Sequence, residues 1–390
     1  MPHPVAALDR LGTETAFEVL ARAQQLSAQG RDIINLGIGQ PDFRTPAHIV
    51  EAAKRALDDG HHGYTPAAGL PALREAVAQD LTSRHEAAVD PGSVLITPGA
   101  KPIMYFAILL FGEPGVEIMY PNPGFPIYES VIAYSGATPV PIELHESAGF
   151  SFDAEQVLAN VTERTRLLIL NSPANPTGGV VPAEQIERLL DGLAAYPDVT
   201  ILSDEIYSRI LYGERTHVSL LRYPQIRDRL IVIDGWSKTY AMTGWRLGYG
   251  VWPANLFPHA ERLAVNSYSC PSAVAQHAGL AALHGPQDAV EEMRQAFDER
   301  RRIIVAGLNS LPGVRCADPG GAFYVFPNIE GTGIDAGALQ RRLMEEAGVA
   351  VVAGTSFGRL GEGYLRFSYA NSAENIRAAI ERIRSLLGAG

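Results

Sequence analysis

The chain contains very little lysine and very little cysteine. Of its 390 residues only three are lysines, Lys54, Lys101 and Lys238, so any chemistry that needs a lysine amine has three candidates. The two cysteines, Cys270 and Cys316, are too few for a disulfide framework, and neither has the spacing of a metal ligand. We therefore predict neither a disulfide scaffold nor a metal site.

Long hydrophobic runs and an excess of basic charge are also missing. No stretch of about 18 or more apolar residues occurs, so the sequence predicts no transmembrane helix. The N-terminal residues lack the basic start and apolar run of a signal peptide, and we expect a cytoplasmic protein. The net charge of -11 argues against nucleic acid and against anionic membrane surfaces as partners.

Short apolar runs alternate with helical patterns through the middle of the chain. The sequence predicts strands at 94–97, 116–120, 167–170, 200–203 and 230–233. Runs of this kind indicate strands buried on both faces of a parallel sheet, and helical patterns such as 183–196 supply the crossovers. We therefore predict an α/β fold with a mostly parallel central sheet and flanking helices.

The C-terminal part of the chain follows a different pattern. Helices and short strands are predicted there at 290–311, 373–387, 322–326 and 364–368. This mixture is typical of a smaller α+β domain, and the N-terminal residues are expected to join it because chain termini often lie close together. The predicted division is a large domain at 46–286 and a small domain formed by 1–45 and 287–390.

Ligands of an open parallel sheet lie beyond the carboxyl ends of its strands, so the residues that follow the predicted strands are candidates for function. After the first strand, Gly99 permits a tight turn and Pro102 suits the first turn of a helix, whose free N–H groups favour an anion such as phosphate. After the second, Phe125 is placed to stack on a planar ligand. Taken singly, a plain turn and a buried core phenylalanine remain ordinary alternatives.

The next three strand ends add polar groups. Asn175 lies in a dense turn cluster and offers an amide to a ligand oxygen. Asp204 ends a buried strand, where a carboxylate needs a cationic partner, and Tyr207 follows shortly after. Lys238 follows the last strand, where burial and nearby cations would lower its pKa, and Arg246 suits a phosphate. A turn, a helix cap or a solvated charge is the alternative for each one alone.

Together, these strand ends supply an anion-binding turn, an aromatic ring, an amide, a carboxylate, and a lysine with an arginine. Such a set suits a planar, phosphorylated aldehyde with a cationic ring nitrogen. The same regions carry motifs in the order and spacing of a known family: SPANPTGG at 172–179, SDEIY at 203–207 and SKTYAMTGWRLGY at 237–249. Weaker matches are LGIGQPDF at 36–43, GYTPAAGLPALREAV at 63–77 and YLRFSYA at 364–370.

From about residue 35 to about residue 387, the chain resembles the pyridoxal-phosphate-dependent aminotransferases of fold type I, class I/II, particularly the bacterial aspartate-aminotransferase-like subgroup. The resemblance implies the PLP-transferase fold and a pyridoxal 5'-phosphate (PLP) cofactor, which Lys238 carries as a Schiff base before it moves the proton. It also implies that Asp204 keeps the pyridine nitrogen protonated and that Asn175 and Tyr207 hydrogen-bond the ring hydroxyl oxygen. Phe125 would stack on the ring.

The resemblance assigns the other groups of the site as well. The phosphate would be held by the turn and by two side chains, at Gly99, Ala100, Lys101, Ser237 and Arg246. Tyr64 would reach the phosphate of the neighbouring subunit, which implies a homodimer with shared active sites. Arg366 would bind the substrate α-carboxylate, with Gly39 and Asn175 beside it.

The implied activity moves the amino group of an L-amino acid to a 2-oxo acid, with 2-oxoglutarate or pyruvate as the expected acceptor, by a ping-pong mechanism. Aspartate-specific relatives often carry a lysine in the helix after the phosphate turn. Here that helix reads PIMYFAILLF, with no lysine beyond Lys101, so an aromatic, aliphatic or basic donor is left open. A PLP-dependent β-lyase is the alternative enzyme. A PLP-binding transcription regulator is disfavoured because no helix-turn-helix pair precedes the resemblance.

Overall fold

The computed structural model describes residues 3–388. Its strands are β1 (Ile34–Asn35), β2 (Val94–Thr97), β3 (Glu117–Asn122), β4 (Thr138–Glu143), β5 (Thr165–Asn171), β6 (Thr200–Asp204), β7 (Leu230–Gly235), β8 (Gly248–Val251), β9 (Tyr324–Val325), β10 (Val349–Ala350), β11 (Val352–Ala353) and β12 (Leu365–Ser368). Its α-helices are α1 (Thr15–Ala28), α2 (Ala47–Asp58), α3 (Pro71–His85), α4 (Lys101–Phe111), α5 (Ile127–Ser135), α6 (Ala154–Ala159), α7 (Ala183–Leu193), α8 (Trp236–Thr239), α9 (Phe257–Tyr268), α10 (Ala273–His284), α11 (Asp288–Asn309), α12 (Ala336–Glu345) and α13 (Ala373–Gly388). None of the helices within residues 3–388 is long and apolar enough to cross a membrane.

In the described part of the chain, seven strands form the central sheet, in the order β2-β8-β7-β6-β5-β3-β4. The strands from β3 to β7 run parallel, whereas β8 is antiparallel to both of its neighbours, β2 and β7. The predicted α/β fold with a mostly parallel sheet and flanking helices is confirmed. β4 and β8 are not predicted from the sequence. The sequence of β4, TPVPIE, contains two prolines and that of β8, GYGV, contains two glycines, and both residue types are rare inside strands.

The central strands are apolar on both faces. Along β5 and β6, successive side chains point to opposite faces and enter different apolar clusters. Leu168 and Ile201 pack on one face with residues of α2, α3, α7 and α10, while Ile169 and Leu202 pack on the other with residues of α4, α5 and α9. This two-sided burial explains why these strands are continuous apolar runs in the sequence.

Residues from both ends of the chain share a further apolar core. β1 pairs in parallel with β10, which places Ile34 opposite Val349. Side chains of the antiparallel sheet β11-β12-β9 and of α11, α12 and α13 belong to the same apolar cluster as Ile34. The division into 46–286 and 1–45 plus 287–390 stays a prediction, and the pairing of β1 with β10 supports it.

Two predicted elements are three residues longer than the observed ones. The helix expected at 183–196 ends at Leu193, and Pro197 disfavours helical backbone at Tyr196, where the predicted helix ends. The strand expected at 322–326 is reduced to Tyr324–Val325, because Ala322 has a positive φ of 57° that no extended strand accepts. The other predicted bounds lie within two residues of the observed ones.

Candidate active site

The carboxyl ends of β2, β3, β5, β6 and β7 meet at one edge of the sheet, because β2 and β7 are both antiparallel to β8. A cavity of about 510 Å³ opens there. Most of the predicted site residues line its wall: Gly39, Ala100, Lys101, Phe125, Asn175, Asp204, Tyr207, Ser237, Lys238, Arg246 and Arg366. Gly99 lies in the adjoining turn. Tyr64 is not part of this wall and is 93% exposed.

Lys238 lies in α8, the short helix that follows β7. The indole N–H of Trp236 donates to the Gly279 carbonyl oxygen at 3.0 Å and fixes the start of this helix in the core. The Lys238 amine donates to the carbonyl oxygen of Gly39 at 2.6 Å. Burial, followed by the nearby guanidinium of Arg366, lowers the pKa of the Lys238 amine to about 8. The amine is therefore far easier to deprotonate than an exposed lysine.

Asp204 lies at the end of β6 and faces the cavity. Its carboxylate accepts hydrogen bonds from the Tyr128 hydroxyl at 2.7 Å and from the Ile206 N–H at 3.3 Å, and it forms no salt bridge within residues 3–388. Burial raises its pKa to about 6, against the lowering effect of the Tyr128 hydroxyl. A cation bound in the cavity would reverse this shift, so the position suits a protonated ring nitrogen.

Arg366 is buried on β12. Its guanidinium lies 4.7 Å from the ring centres of both Tyr324 and Phe357, donates to the Asn175 side-chain oxygen at 2.9 Å, and also donates to the Gly37 carbonyl oxygen. The Nε atom is buried, and nothing in the described part of the chain accepts a hydrogen bond from it. Burial lowers the pKa of Arg366. A buried guanidinium without a counter-ion fits a substrate carboxylate, which accepts its paired N–H groups.

Glycines at and beside the turn between β2 and α4 allow the Arg246 side chain and strand β8 to lie close to the turn backbone. Gly99 has a φ of +82°, and a Cβ atom there would lie 2.2 Å from Nη2 of Arg246. A Cβ atom on Gly248 in β8 would lie 2.4 Å from the backbone nitrogen of Ala100. The two glycines therefore let the turn, the start of α4 and the Arg246 guanidinium converge. Free N–H groups at a helix start beside an arginine form a site for a phosphate.

Two tyrosines of the site were missed by the sequence prediction. Tyr128 reaches Asp204 from α5, and the Tyr324 hydroxyl lies 2.7 Å from that of Tyr207. A Cβ atom on Gly39 would lie 2.1 Å from the Tyr324 hydroxyl oxygen, so glycine at this position makes room for that ring. No sequence motif indicated either tyrosine, because each contact depends on how distant parts of the chain pack together.

The groups that line the cavity are chemically complementary to the separate parts of one cofactor. An amine with a lowered pKa suits an aldehyde, a carboxylate without a cation suits a pyridinium nitrogen, and the glycine turn suits a phosphate. The buried Arg366 remains for the carboxylate of a substrate. The fold and this set of donors together define a pyridoxal-phosphate enzyme.

Comparison with known proteins narrows the class. Residues 31–383 match the family of class I and II aminotransferases, and the chain belongs to that family. It is 39% identical to the aspartate aminotransferase of Geobacillus stearothermophilus over 97% of both chains, and 40% identical to that of Pyrococcus horikoshii over 95% of this chain and 93% of the relative. The crystal structure of the aspartate aminotransferase from Rhizobium meliloti superposes with a TM-score of 0.94 at 34% identity, covering 100% of this chain and 99% of that one. The chain is a PLP-dependent aminotransferase, and the predicted family, fold type and cofactor are confirmed.

We expect the Lys238 amine of the cofactor-free protein to titrate near pH 8, because burial disfavours its charged form. Its rate of acylation by acetic anhydride, followed by mass spectrometry, should rise with pH and reach half of its plateau near pH 8. Lys54, exposed on α2, checks the reagent in every sample. A midpoint near 10.5, the ordinary value for lysine, would contradict the effect of burial.

Proposed function

We propose that the chain transfers the amino group of an L-amino acid to a 2-oxo acid, either 2-oxoglutarate or pyruvate, in two half-reactions at one site. The observation that carries this proposal is the buried Arg366, which has no counter-ion within residues 3–388 and lies in the same cavity as the Lys238 amine. Amino acids and 2-oxo acids both have a carboxylate next to the reacting carbon. One arginine therefore serves both substrates in turn, as a ping-pong mechanism requires.

When bound, PLP supplies the carbonyl carbon that takes up the amino group and a ring that withdraws electrons from the substrate α-carbon. The negative charge of Asp204 holds a proton at the ring nitrogen. The Lys238 amine would remove the substrate α-proton and hold it for return, a role that its lowered pKa favours. Asn175 and Tyr207 would hydrogen-bond the ring hydroxyl oxygen, and Phe125 would stack on the ring.

The remaining residues position the cofactor and the substrate. The phosphate would be held by backbone and side-chain donors at Gly99, Ala100, Lys101, Ser237 and Arg246. Arg366 would bind the α-carboxylate. The Asn175 side-chain oxygen accepts a hydrogen bond from Arg366, and the Gly39 backbone lines the same cavity. The aspartate aminotransferases among the relatives make aspartate one of the donors to test, beside aromatic, aliphatic and basic amino acids.

An amino donor given alone should yield one 2-oxo acid per chain and then no more, because each site needs an acceptor before it can react again. Adding 2-oxoglutarate or pyruvate should restart turnover, and repeating the measurement with each of the common amino acids identifies the donor. Release of ammonia and 2-oxo acid in many turnovers without an acceptor would instead identify a β-lyase.

Replacing Asp204 with Asn should leave cofactor binding, measured by absorbance, nearly intact while lowering turnover by about 100- to 1000-fold. Asparagine keeps the shape of the side chain and loses only the charge that holds the ring proton. The control is Tyr128→Phe, which keeps the carboxylate and removes one hydrogen bond to it, and it should lose far less activity. Near-normal turnover of Asp204→Asn would show that the ring proton does not depend on this carboxylate.

We further propose a homodimer with two shared sites. Tyr64 is 93% exposed on the isolated chain, and large apolar side chains at Phe17, Leu57 and Val265 are also exposed. A partner that covers these side chains would remove their apolar surface from water. In a closed two-fold dimer, the Tyr64 hydroxyl of each chain would reach the phosphate bound by the other.

Mixing the two impaired variants Tyr64→Ala and Lys238→Ala tests the shared site. Each mixed dimer would combine both defects in one site and leave the other site intact. After complete exchange, half of the dimers are mixed, so we expect about a quarter of the wild-type activity. If mass spectrometry confirms exchange and Tyr64→Ala alone is impaired, but activity does not return, Tyr64 acts within its own chain.

A further inference from the structure

Glu14 lines the active-site cavity, where it forms an ion pair with Lys101. The Lys101 ammonium also lies 5.5 Å from the ring centre of Phe125, so the lysine is held between a carboxylate and an aromatic face. The Glu14 side chain is only 15% exposed, against 43% for Lys101. The Lys101 ammonium is therefore already paired with a carboxylate of the chain itself.

The segment before α1 fixes Glu14 in this position. Arg10 donates to the carbonyl oxygen of Ala133 at 2.8 Å, and the Gly12 N–H donates to the Ser130 hydroxyl at 2.8 Å, so the segment is tied to α5. Glu14 then occupies the position before the first turn of α1, but its side chain makes no capping hydrogen bond. The carboxylate is directed to Lys101 instead of to the helix backbone.

The charge of Glu14 acts across the cavity. Burial lowers the pKa values of Arg366 and Lys238, and the Glu14 carboxylate opposes this lowering in both. A substrate whose α-carboxylate is bound by Arg366 extends its side chain into the same cavity. A second carboxylate on that side chain would meet the repulsion of Glu14 and a lysine whose charge Glu14 already balances. An uncharged side chain would meet neither effect, and Phe17, Ile38 and Phe357 offer it apolar contacts.

We propose that Glu14 is a specificity-determining residue, which withholds Lys101 from the distal carboxylate of dicarboxylic substrates and so favours substrates with uncharged side chains. The proposal rests on the amino transfer proposed above, because it concerns the substrates of that site. Glu14 takes no part in the chemical steps. Its effect is to set which side chains bind beside Lys101.

Binding of unreactive carboxylates to the holoenzyme tests the proposal without requiring any turnover. Maleate carries two carboxylates and 3-phenylpropionate carries one, and calorimetry gives a dissociation constant for each. Glu14→Gln should tighten maleate by about tenfold or more, since a charge-assisted contact with Lys101 becomes available. The constant for 3-phenylpropionate should stay within about twofold of the wild type. An equal change for both ligands, or no change for either, would overturn the proposal.

Two further variants separate competition for Lys101 from other effects. Glu18→Gln is the matched control, because Glu18 lies one helical turn further on, contacts the Thr13 hydroxyl and is not part of the cavity wall. It should change neither constant.

In the double variant Glu14→Gln/Lys101→Met, most of the gain for maleate should disappear. A gain of undiminished size without Lys101 would mean simple repulsion by Glu14 and would refute the competition. Failure of amino transfer itself would appear in the 2-oxo acid assay, while these binding ratios would be unaffected.

Discussion

Three buried charges face one cavity without a salt-bridge partner among residues 3–388, namely Asp204, Lys238 and Arg366. Burial raises the pKa of Asp204 to about 6, lowers that of Lys238 to about 8, and lowers that of Arg366 as well. Removing such groups from water destabilises the folded chain unless a ligand supplies the opposite charge or a hydrogen bond. The binding of cofactor and substrate therefore stabilises the protein as well as filling its site, because the ligands bind the folded state alone.

Two neighbouring carboxylates at the end of β6 show how the fold separates function from structure. Asp204 faces the cavity, whereas Glu205 points into the core, where it accepts hydrogen bonds from Ser203 at 2.8 Å, His217 at 2.7 Å and the Leu220 N–H at 3.1 Å. Burial acts to raise the pKa of both carboxyls. For Glu205 the charge and hydrogen bond of His217 outweigh burial and bring the pKa to about 2, while for Asp204 burial prevails. Asp204 therefore needs a ligand to stabilise its charge, whereas Glu205 does not.

The sequence predicts the parts of the site that depend on strand ends. Asp204 and Lys238 follow long apolar strands, and a parallel sheet brings such positions to one edge whatever the details of packing. Tyr128 and Tyr324 lie 76 and 117 residues from the side chains they contact, and Glu14 lies 87 residues from its lysine partner. No local spacing specifies these contacts. The strands differ in the same way. β5, β6 and β7 are predictable because their burial on both faces produces apolar runs in the sequence, whereas β8 contains two glycines and is recognised only by its pairing with neighbouring strands.

The residues proposed to contact the substrate and those proposed to hold the cofactor belong to different parts of the fold. Arg366 lies on β12, which pairs with β11, and α1, which begins just after Glu14, packs against β11 as well. Asp204 instead ends β6 and Lys238 follows β7, and the side chains of these two strands are buried on both faces of the central sheet. Close packing makes the sheet costly to alter, because even small volume changes in such a core are felt throughout it. Substitutions around α1 and β12 can therefore change which side chain binds while the cofactor, the ring proton and the lysine amine keep their positions.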